Sequence, residues 1–595
     1  MRRLGLAAVA CVALALPAAA AAATAPTAPV YDRNGHVIQT PFAPQARAPR
    51  LDKERATKIF LAAPKVADWL DRYPEKGRIT EATLDKGAWT VKVWWGAAGE
   101  IAQGKVDDAT GAVTEAWTGP QVAWKMARGY PGAFGGAKIN SAPVWLGFCA
   151  FFLLGLADWR RLRSLRNLDL LVLLSFTVPL WFFNRGDVFT SVPLVYPGLL
   201  YLLVRAVWAA RRDRGVAVRH TWPVWLLAAM TVFLLGFRIG LNVRASNVID
   251  VGYAGVIGAD RIDHATSPYG NFPVEENLKA CGPADSAGEI RDRIQANGRC
   301  ETANPLGDTY GPLAYAAYLP GYWILGWTGK WDDLPAAHFT SILWDVVALV
   351  GLALVGRRYG GNHLAATLAF AWAAYPFTQY VSNSNTNDAI MPAFLIWGFW
   401  LASNDAARGM LSAAAGWTKF AAFVVAPLWA TYPNVRRPRR IGTFVAGFAL
   451  ATIASLAILL FDGDVLHAVR VFWDRTVWTQ VTRHSPFSLW DWGQYHARGI
   501  PDLQLVQKVL EGLLVAGAIA AAFVPRRKSP YQLAALTGAL LVGFQLVLTH
   551  WFYLYIPWFF PFVAIAVLAP AARREEAAEA EEHGDREPAE LVPAG

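Results

Sequence analysis

The chain has 595 residues, of which 54% are hydrophobic and only 17% charged, with a formal net charge of +10. A soluble globular protein carries about 25% charged residues, so a single soluble domain is excluded as the main body. The arginines sit in short loops between apolar segments, a pattern of membrane topology that argues against a nucleic-acid groove and against nucleic acid as a partner.

Residues 1–23 read as a secretory signal peptide: Arg2 and Arg3, then apolar Leu4 to Leu16, then small residues Ala18 to Ala23. The chain that follows is expected to be extracytoplasmic. Residues 24–50 are rich in Ala, Pro and Thr and read as a linker. Residues 51–135 read as a small α+β domain. In "DKERATKIFLAAPKVADWLDRY", Ile59, Phe60, Val66 and Leu70 recur at helical spacing. "AWTVKVWWGAAGEIAQGKVDDATGAVTEAW" then alternates apolar and polar residues, as strands do, with turns at Gly96–Gly99 and Asp107–Gly111. The rhythm "W-x-V…G…V-D-x-x-T-G-x-V" resembles a PepSY-like domain.

From Ala142 to residue 570 the chain reads as polytopic. A span needs about 20 apolar residues to cross about 30 Å of hydrocarbon. Candidate spans are 142–157, 168–183, 190–210, 222–241, 336–356, 362–381, 388–403, 441–460, 503–524, 530–549 and 551–570. With the first span entering from outside, the arginine-rich loops 158–167, 211–220, 357–358, 525–528 and 573–574 all fall inside. The apolar stretch 409–433 has cytoplasmic-looking flanks, "NDAARG" and "NVRRPRR". It is therefore expected to be a re-entrant pair of half-helices broken near Trp417–Lys419, a geometry tolerated only inside protein or beside a cavity. Loops 242–335 and 461–502 then lie outside, and the Ala/Glu-rich tail 571–595 is expected to be cytoplasmic and disordered. The fold class is a mainly α, polytopic helical membrane protein of the cell membrane, with about eleven spans, one re-entrant pair and an extracytoplasmic α+β domain.

Cys281 and Cys300 share the first outer loop, and a disulfide between them is expected in an oxidising compartment. No histidine lies between or close beside them, so a metal site there is not indicated.

The polar residues of the outer side carry the chemistry. Asp250 follows its span by about nine residues, inside the helically spaced "DVGYAGVIGADRI". Val251, Ala254, Ile257 and Ile262 form one face, as in a helix lying on the outer membrane surface, and Asp263 lies beyond. "GDTYGPLAYAAYLPGYW" offers Asp308 and Tyr310; "YVSNSNTNDAIMP" offers Asn387 and Asp388, which could cap a helix or contact a sugar. Lys419, in the middle of an apolar run, is costly unless it has a function. Arg238 stands near the outer end of its span. "FWDRTVWTQVTRHSPFSLWDWGQYH" places Arg483 and His484 among tryptophans, and "THWFYLYIPWFFPF" places His550 at an outer turn.

The segments "DVGYAGVIGADRI…PYG", "TYGPLAYAAYLP", "NTNDA", "GWTKF" and "RHSPFSLW", in this order over about residues 220–570, resemble the GT-C class of integral-membrane glycosyltransferases, and within it the actinobacterial polyprenol-phosphate-mannose-dependent α-mannosyltransferase group. The resemblance implies a polyprenyl-phosphate sugar donor, an outer-loop aspartate as base and inversion at the anomeric carbon; a cell-envelope glycan or glycolipid acceptor is expected, and no cofactor, since the chain carries no nucleotide-binding fingerprint and a divalent metal is not indicated. The secreted N-terminal domain, the three spans before the first acidic loop and the insert 271–306 depart from that group, which leaves the acceptor open. On this reading Asp250 takes the acceptor's proton, and Lys419, helped by Arg238 or Arg483, stabilises the leaving phosphate. Asp263, Asp308, Tyr310, Asn387, Asp388, His484 and His550 complete the expected substrate contacts.

A lipid or solute transporter is the alternative, since it would explain a broken helix and a buried lysine. It does not account for acidic residues crowded on one side, and the chain has no matched halves. Membrane electron transfer through haem would need histidines within the spans; His338, His363 and His550 lie only at span ends.

Overall fold

The computed structural model describes residues 49–118 and 136–569, except 72, 86, 96–98, 137, 185–187, 214–221, 247, 273–291, 295–299, 303–306, 330–333, 483–484, 486 and 491–502, together with 30–31, 34, 37–38 and 122. The signal peptide, most of the linker, the acidic tail, Arg483, His484 and the pairing of Cys281 with Cys300 lie outside the described residues. The chain divides into Met1–Asp52 and Lys53–Gly595. In the first unit, strands Val30–Tyr31 and Val37–Ile38 pair antiparallel.

The second unit begins with two helices and a four-stranded antiparallel sheet. The periodic stretch expected to be one helix is two, Lys53–Leu61 and Pro64–Leu70. Pro64 opens the second: proline lacks an N–H and disfavours helical backbone in the residue before it, and Ala63 is accordingly extended (ψ 130°). Strands Arg78–Asp85, Ala88–Trp95, Gly99–Asp107 and Val113–Thr118 pair in sequence order. The first of them, RITEATLD, is mostly polar and carries little alternation, so only the later three are legible as strands. The turn at Asp107–Gly111 forms as expected, closed by Gly111 N–H donating to Asp107 O. Phe60 is fully buried against Gly104 of the third strand, where a side chain would collide with its ring.

The remainder is helical. Among the described residues, seven helices are long and apolar enough to cross a membrane: Leu165–Phe183, Pro193–Arg212, Val224–Ala245, Pro335–Ala374, Pro438–Phe461, Gln504–Phe523 and Pro530–Val547. Ala142–Leu156, Phe420–Ala430 and Tyr553–Leu568 are shorter apolar helices. The segments expected at 336–356 and 362–381 are the arms of a helical hairpin. Pro335–Ala374 breaks at Gly360 and Gly361, the latter at φ 68°, and the Gly356 backbone lies against that of Leu364 and Ala365. The left-handed backbone at Gly361 is one a side chain would strain. The second arm continues through Pro376–Asn383.

The arginine-bearing turns gather at one end of this bundle. Asp405 pairs with Arg408 at 2.8 Å and Arg440 at 2.7 Å. Arg358 Nη2 donates to Ser403 Oγ at 2.9 Å. Asn434 and Arg527 form an antiparallel bridge. Gln532 Nε2 donates to Ala210 O at 3.1 Å, beside Arg211 and Arg212. Tyr531 Oη donates to Ala566 O at 2.6 Å, which brings the end of the last helix to the same place.

The stretch 409–433 returns to where it starts. Helix Asp405–Thr418 ends at Lys419, which is extended (φ −139°, ψ 118°), and the chain turns back through Phe420–Val425 and Ala426–Ala430. The fully buried Arg408 donates to the carbonyls of Ala402, Trp429 and Tyr432, so its guanidinium ties the two mouths of the hairpin together. Lys419 stands at the apex, away from the arginine turns.

Candidate functional site

Three chain segments build the site around that apex. The first is helix Asp250–Asp263, expected to lie on the membrane surface. Instead, every residue from Gly252 to Ala259 is buried. The cause is a glycine stripe: Gly252 meets the carbonyl of Asn385, Gly255 the ring of Tyr318 and Gly258 the ring of Tyr315, each too close for a side chain. The helix is thereby sunk into the protein, with half-buried Asp250 at its first turn.

The second is the turn 382–388, buried throughout. Asn385 adopts φ 52°. Asn242 Nδ2 donates to Ser382 O at 2.7 Å and to Asn385 Oδ1 at 2.8 Å, Asn385 Nδ2 donates to Ser246 Oγ at 2.9 Å, and His338 Nδ1 lies 2.9 Å from Asn242 Oδ1. Neither Asn387 nor Asp388 is the helix cap. Thr386 Oγ1 accepts from the Asp388 N–H, which frees the Asp388 carboxylate for long-range partners. Asn383 and Asn387 each keep a buried Oδ1 without a hydrogen-bond partner among the described residues.

The third is the hairpin apex. Lys419 Nζ lies 3.1 Å from Asp388 Oδ1. It also sits over three aromatic faces: Tyr310 at 4.7 Å, Trp558 at 5.7 Å and Tyr555 at 5.8 Å from the ring centres. Trp558 Nε1 donates to the same carboxylate oxygen at 3.2 Å, and its ring stacks on Tyr555 at 4.1 Å. A lysine at this depth is costly unless a carboxylate and polarisable faces compensate it, and this one has both. Tyr310 reaches it because Gly311 packs directly on the Trp417 carbonyl, at the helix break. Burial first, then the charges of Asp250 and Asp388, hold the Tyr310 hydroxyl well above its ordinary pKa. The Tyr310 hydroxyl therefore stays protonated.

The structure thus brings Tyr310, Asp388 and Lys419 together, with Asp250 near enough for its charge to act on the Tyr310 hydroxyl, and leaves other expected residues aside. Arg238, expected to help stabilise the leaving phosphate, is already engaged within the bundle. It is fully buried in helix Val224–Ala245, paired with Asp345 at 2.7 Å and bonded to the carbonyls of Trp372 and Ala373. Its charge is spent on holding the hairpin arms to that helix. Asp308 accepts from Gly270 N–H at 2.8 Å and lies 3.3 Å from Arg475 Nε, so it staples the turn after Asp263 to the second polar loop. Burial raises its pKa, partly offset by Gly270 and Arg475. Asp263 stands on the rim, accepting from the exposed Trp323 indole at 2.7 Å. His550 Nδ1 lies 2.8 Å from Ser485 Oγ, and the rings of Phe552 and Tyr555 lie between it and Lys419.

Sequence reasoning missed Tyr555 and Trp558. Their three-residue spacing after an apolar turn, on one helix face, is a signal present in "YLYIPW" that the attention given to His550 passed over. It also missed the Asn242–Ser246–His338 clamp, because polar residues from two segments 96 positions apart carry no local pattern. No protein-family model matches this chain, and no curated protein matches it.

Proposed function

We propose that this protein is an integral-membrane glycosyltransferase that moves a sugar from a polyprenyl-phosphate donor to an extracytoplasmic glycan or lipid acceptor with inversion. The observation that carries the reading is Lys419: one cation at the apex of a broken hairpin, compensated by Asp388 and caged by Tyr310, Tyr555 and Trp558. A lipid-anchored phosphodiester that leaves as a monoester needs a cation at membrane depth, beside polar groups that accept hydrogen bonds from sugar hydroxyls. The unpartnered oxygens of Asn383 and Asn387 supply such acceptors. The apex also lies away from the arginine turns, which supports an extracytoplasmic site under the positive-inside rule.

In the reaction, the carboxylate of Asp250 accepts the proton of the acceptor hydroxyl as that oxygen bonds to the anomeric carbon. The bond from that carbon to the phosphate oxygen breaks, and the electron pair leaves with the polyprenyl phosphate. Lys419 meets the charge that develops there, in a medium where a single cation is worth far more than in water. Tyr310, kept protonated, orients the phosphate or the sugar between the two carboxylates.

The test is sugar transfer by membranes containing the full chain, with labelled polyprenyl-phosphate sugars as donors and lipid extraction as the readout. Asp250→Asn is expected to lower turnover by about 10²-fold or more, the usual worth of a positioned base. Lys419→Met is expected to weaken donor binding as well as turnover. If Asp388→Asn abolishes transfer while Asp250→Asn does not, the base is reassigned to Asp388. If no donor supports transfer, the transporter reading replaces this one.

A further inference from the structure

At the end of the bundle opposite Lys419, tertiary pairing makes a cationic surface that no single loop contains. Loop 433–440 and loop 524–529 are joined as a two-strand bridge: Val435 N–H donates to Arg526 O at 3.2 Å, and Lys528 N–H to Pro433 O at 2.8 Å. Lys528 is buried beneath it, with Nζ donating to Ala522 O at 2.8 Å. The bridge leaves Arg436, Arg437, Arg439, Arg526 and Arg527 exposed together. Among the described residues, none of the five has a carboxylate partner: Asp405 is taken by Arg408 and Arg440, and Asp213 accepts from Ser529 Oγ of loop 524–529.

The last helix ends beside this surface. Ala566 O accepts from Tyr531, which is three residues from Lys528 and so within roughly 10 Å of chain from it. Beyond it the sequence carries eight carboxylates between Glu575 and Glu590 against the single Arg586. Six residues from Ala569 to Glu575 can extend about 20 Å, enough to reach the bridge.

We propose that the acidic segment Glu575–Glu590 docks on the arginine bridge formed by loops 433–440 and 524–529. Single exposed ion pairs are weak; the association rests on many charges and on tethering, which holds the segment near the bridge at about millimolar effective concentration. It is independent of what the opposite end of the protein catalyses or carries. The arginines are then covered when the tail is down and available to anionic headgroups when it is not.

The experiment uses the full chain in nanodiscs of zwitterionic lipid, with arginine modification by phenylglyoxal read by mass spectrometry. A variant carrying Glu→Gln at 575, 576, 579, 581 and 582 leaves the bundle untouched. At low salt its five bridge arginines are expected to react several-fold faster than those of the unmodified chain. At about 0.5 M salt, where screening reaches within a few ångströms, the two rates should converge. A photo-crosslinker replacing Glu579 should capture peptides 433–440 or 524–529. Equal modification rates at low salt, or crosslinks to any other part of the chain, overturn the proposal. Protection that requires phosphatidylglycerol in the nanodisc and ignores the tail substitutions assigns the surface to lipid headgroups and overturns it as well.

Discussion

Two buried cations of this protein have opposite meanings, and their partners distinguish them. Arg238 meets a carboxylate and two backbone carbonyls in a closed setting, which is how a fold neutralises a charge it needs only for packing. Arg238→Met strands Asp345 and is expected to cost about 3–5 kcal/mol of stability. The double variant Arg238→Met/Asp345→Leu should recover most of that in detergent melting and bind donor as the unmodified chain does; weakened binding in the recovered double variant would restore Arg238 to the site. Lys528 shows the pH consequence of burial without an anion, which pushes its ammonium down to about 8. The unfolded chain holds that proton up to about 10.5, so stability is expected to rise as pH climbs from about 8 toward 10.5. Melting curves across that interval check it, and Lys528→Met should flatten the difference.

Close approach sets the site's geometry at the level of elements. Helix Asp250–Asp263 is sunk by its glycine stripe, and the Tyr310 turn is pressed on the hairpin break by Gly311. Gly311→Val forces the turn off the Trp417 carbonyl and should cost about 1–3 kcal/mol. It should reduce activity further than Lys419→Arg does, because it separates Tyr310 from the cation. Gly236→Val, at a helix position with nothing within 4 Å, is the control and should leave both stability and activity near the starting values. The helix at 250–263 was legible as a helix from its apolar spacing, but its burial was not. A glycine reads as a weak point in a helix until the ring that fills its place is known, and Tyr315 and Tyr318 are about 60 residues away in the chain.

For the whole molecule, the hairpin at 409–433 decides sidedness. Arg408 ties its two mouths, so the chain enters and leaves at the arginine end. A cysteine at Asn434 is expected to react with an impermeant maleimide only in permeabilised cells. Reaction from outside would require the hairpin to cross the membrane and would invert every later loop. The same experiment places the Asp250–Lys419 site, since the apex lies away from that end.

Composition, apolar run length and arginine placement are summed over many residues, so the sequence alone determined a mainly helical, membrane-grade body, the positions of most of its apolar helices, three strands of the small antiparallel sheet and the break at Lys419. It also singled out Asp250, Tyr310, Asp388 and Lys419, since an ionisable group inside or beside an apolar run stands out without any partner being known. Partnership itself is a property of three dimensions. That Asp388 serves Lys419 and not a helix cap, that Arg238 is spent on Asp345, and that Tyr555 and Trp558 close the cage were decided only when segments about 30 to 170 residues apart were packed together, because in low dielectric each charge takes whichever compensating group the backbone brings within reach.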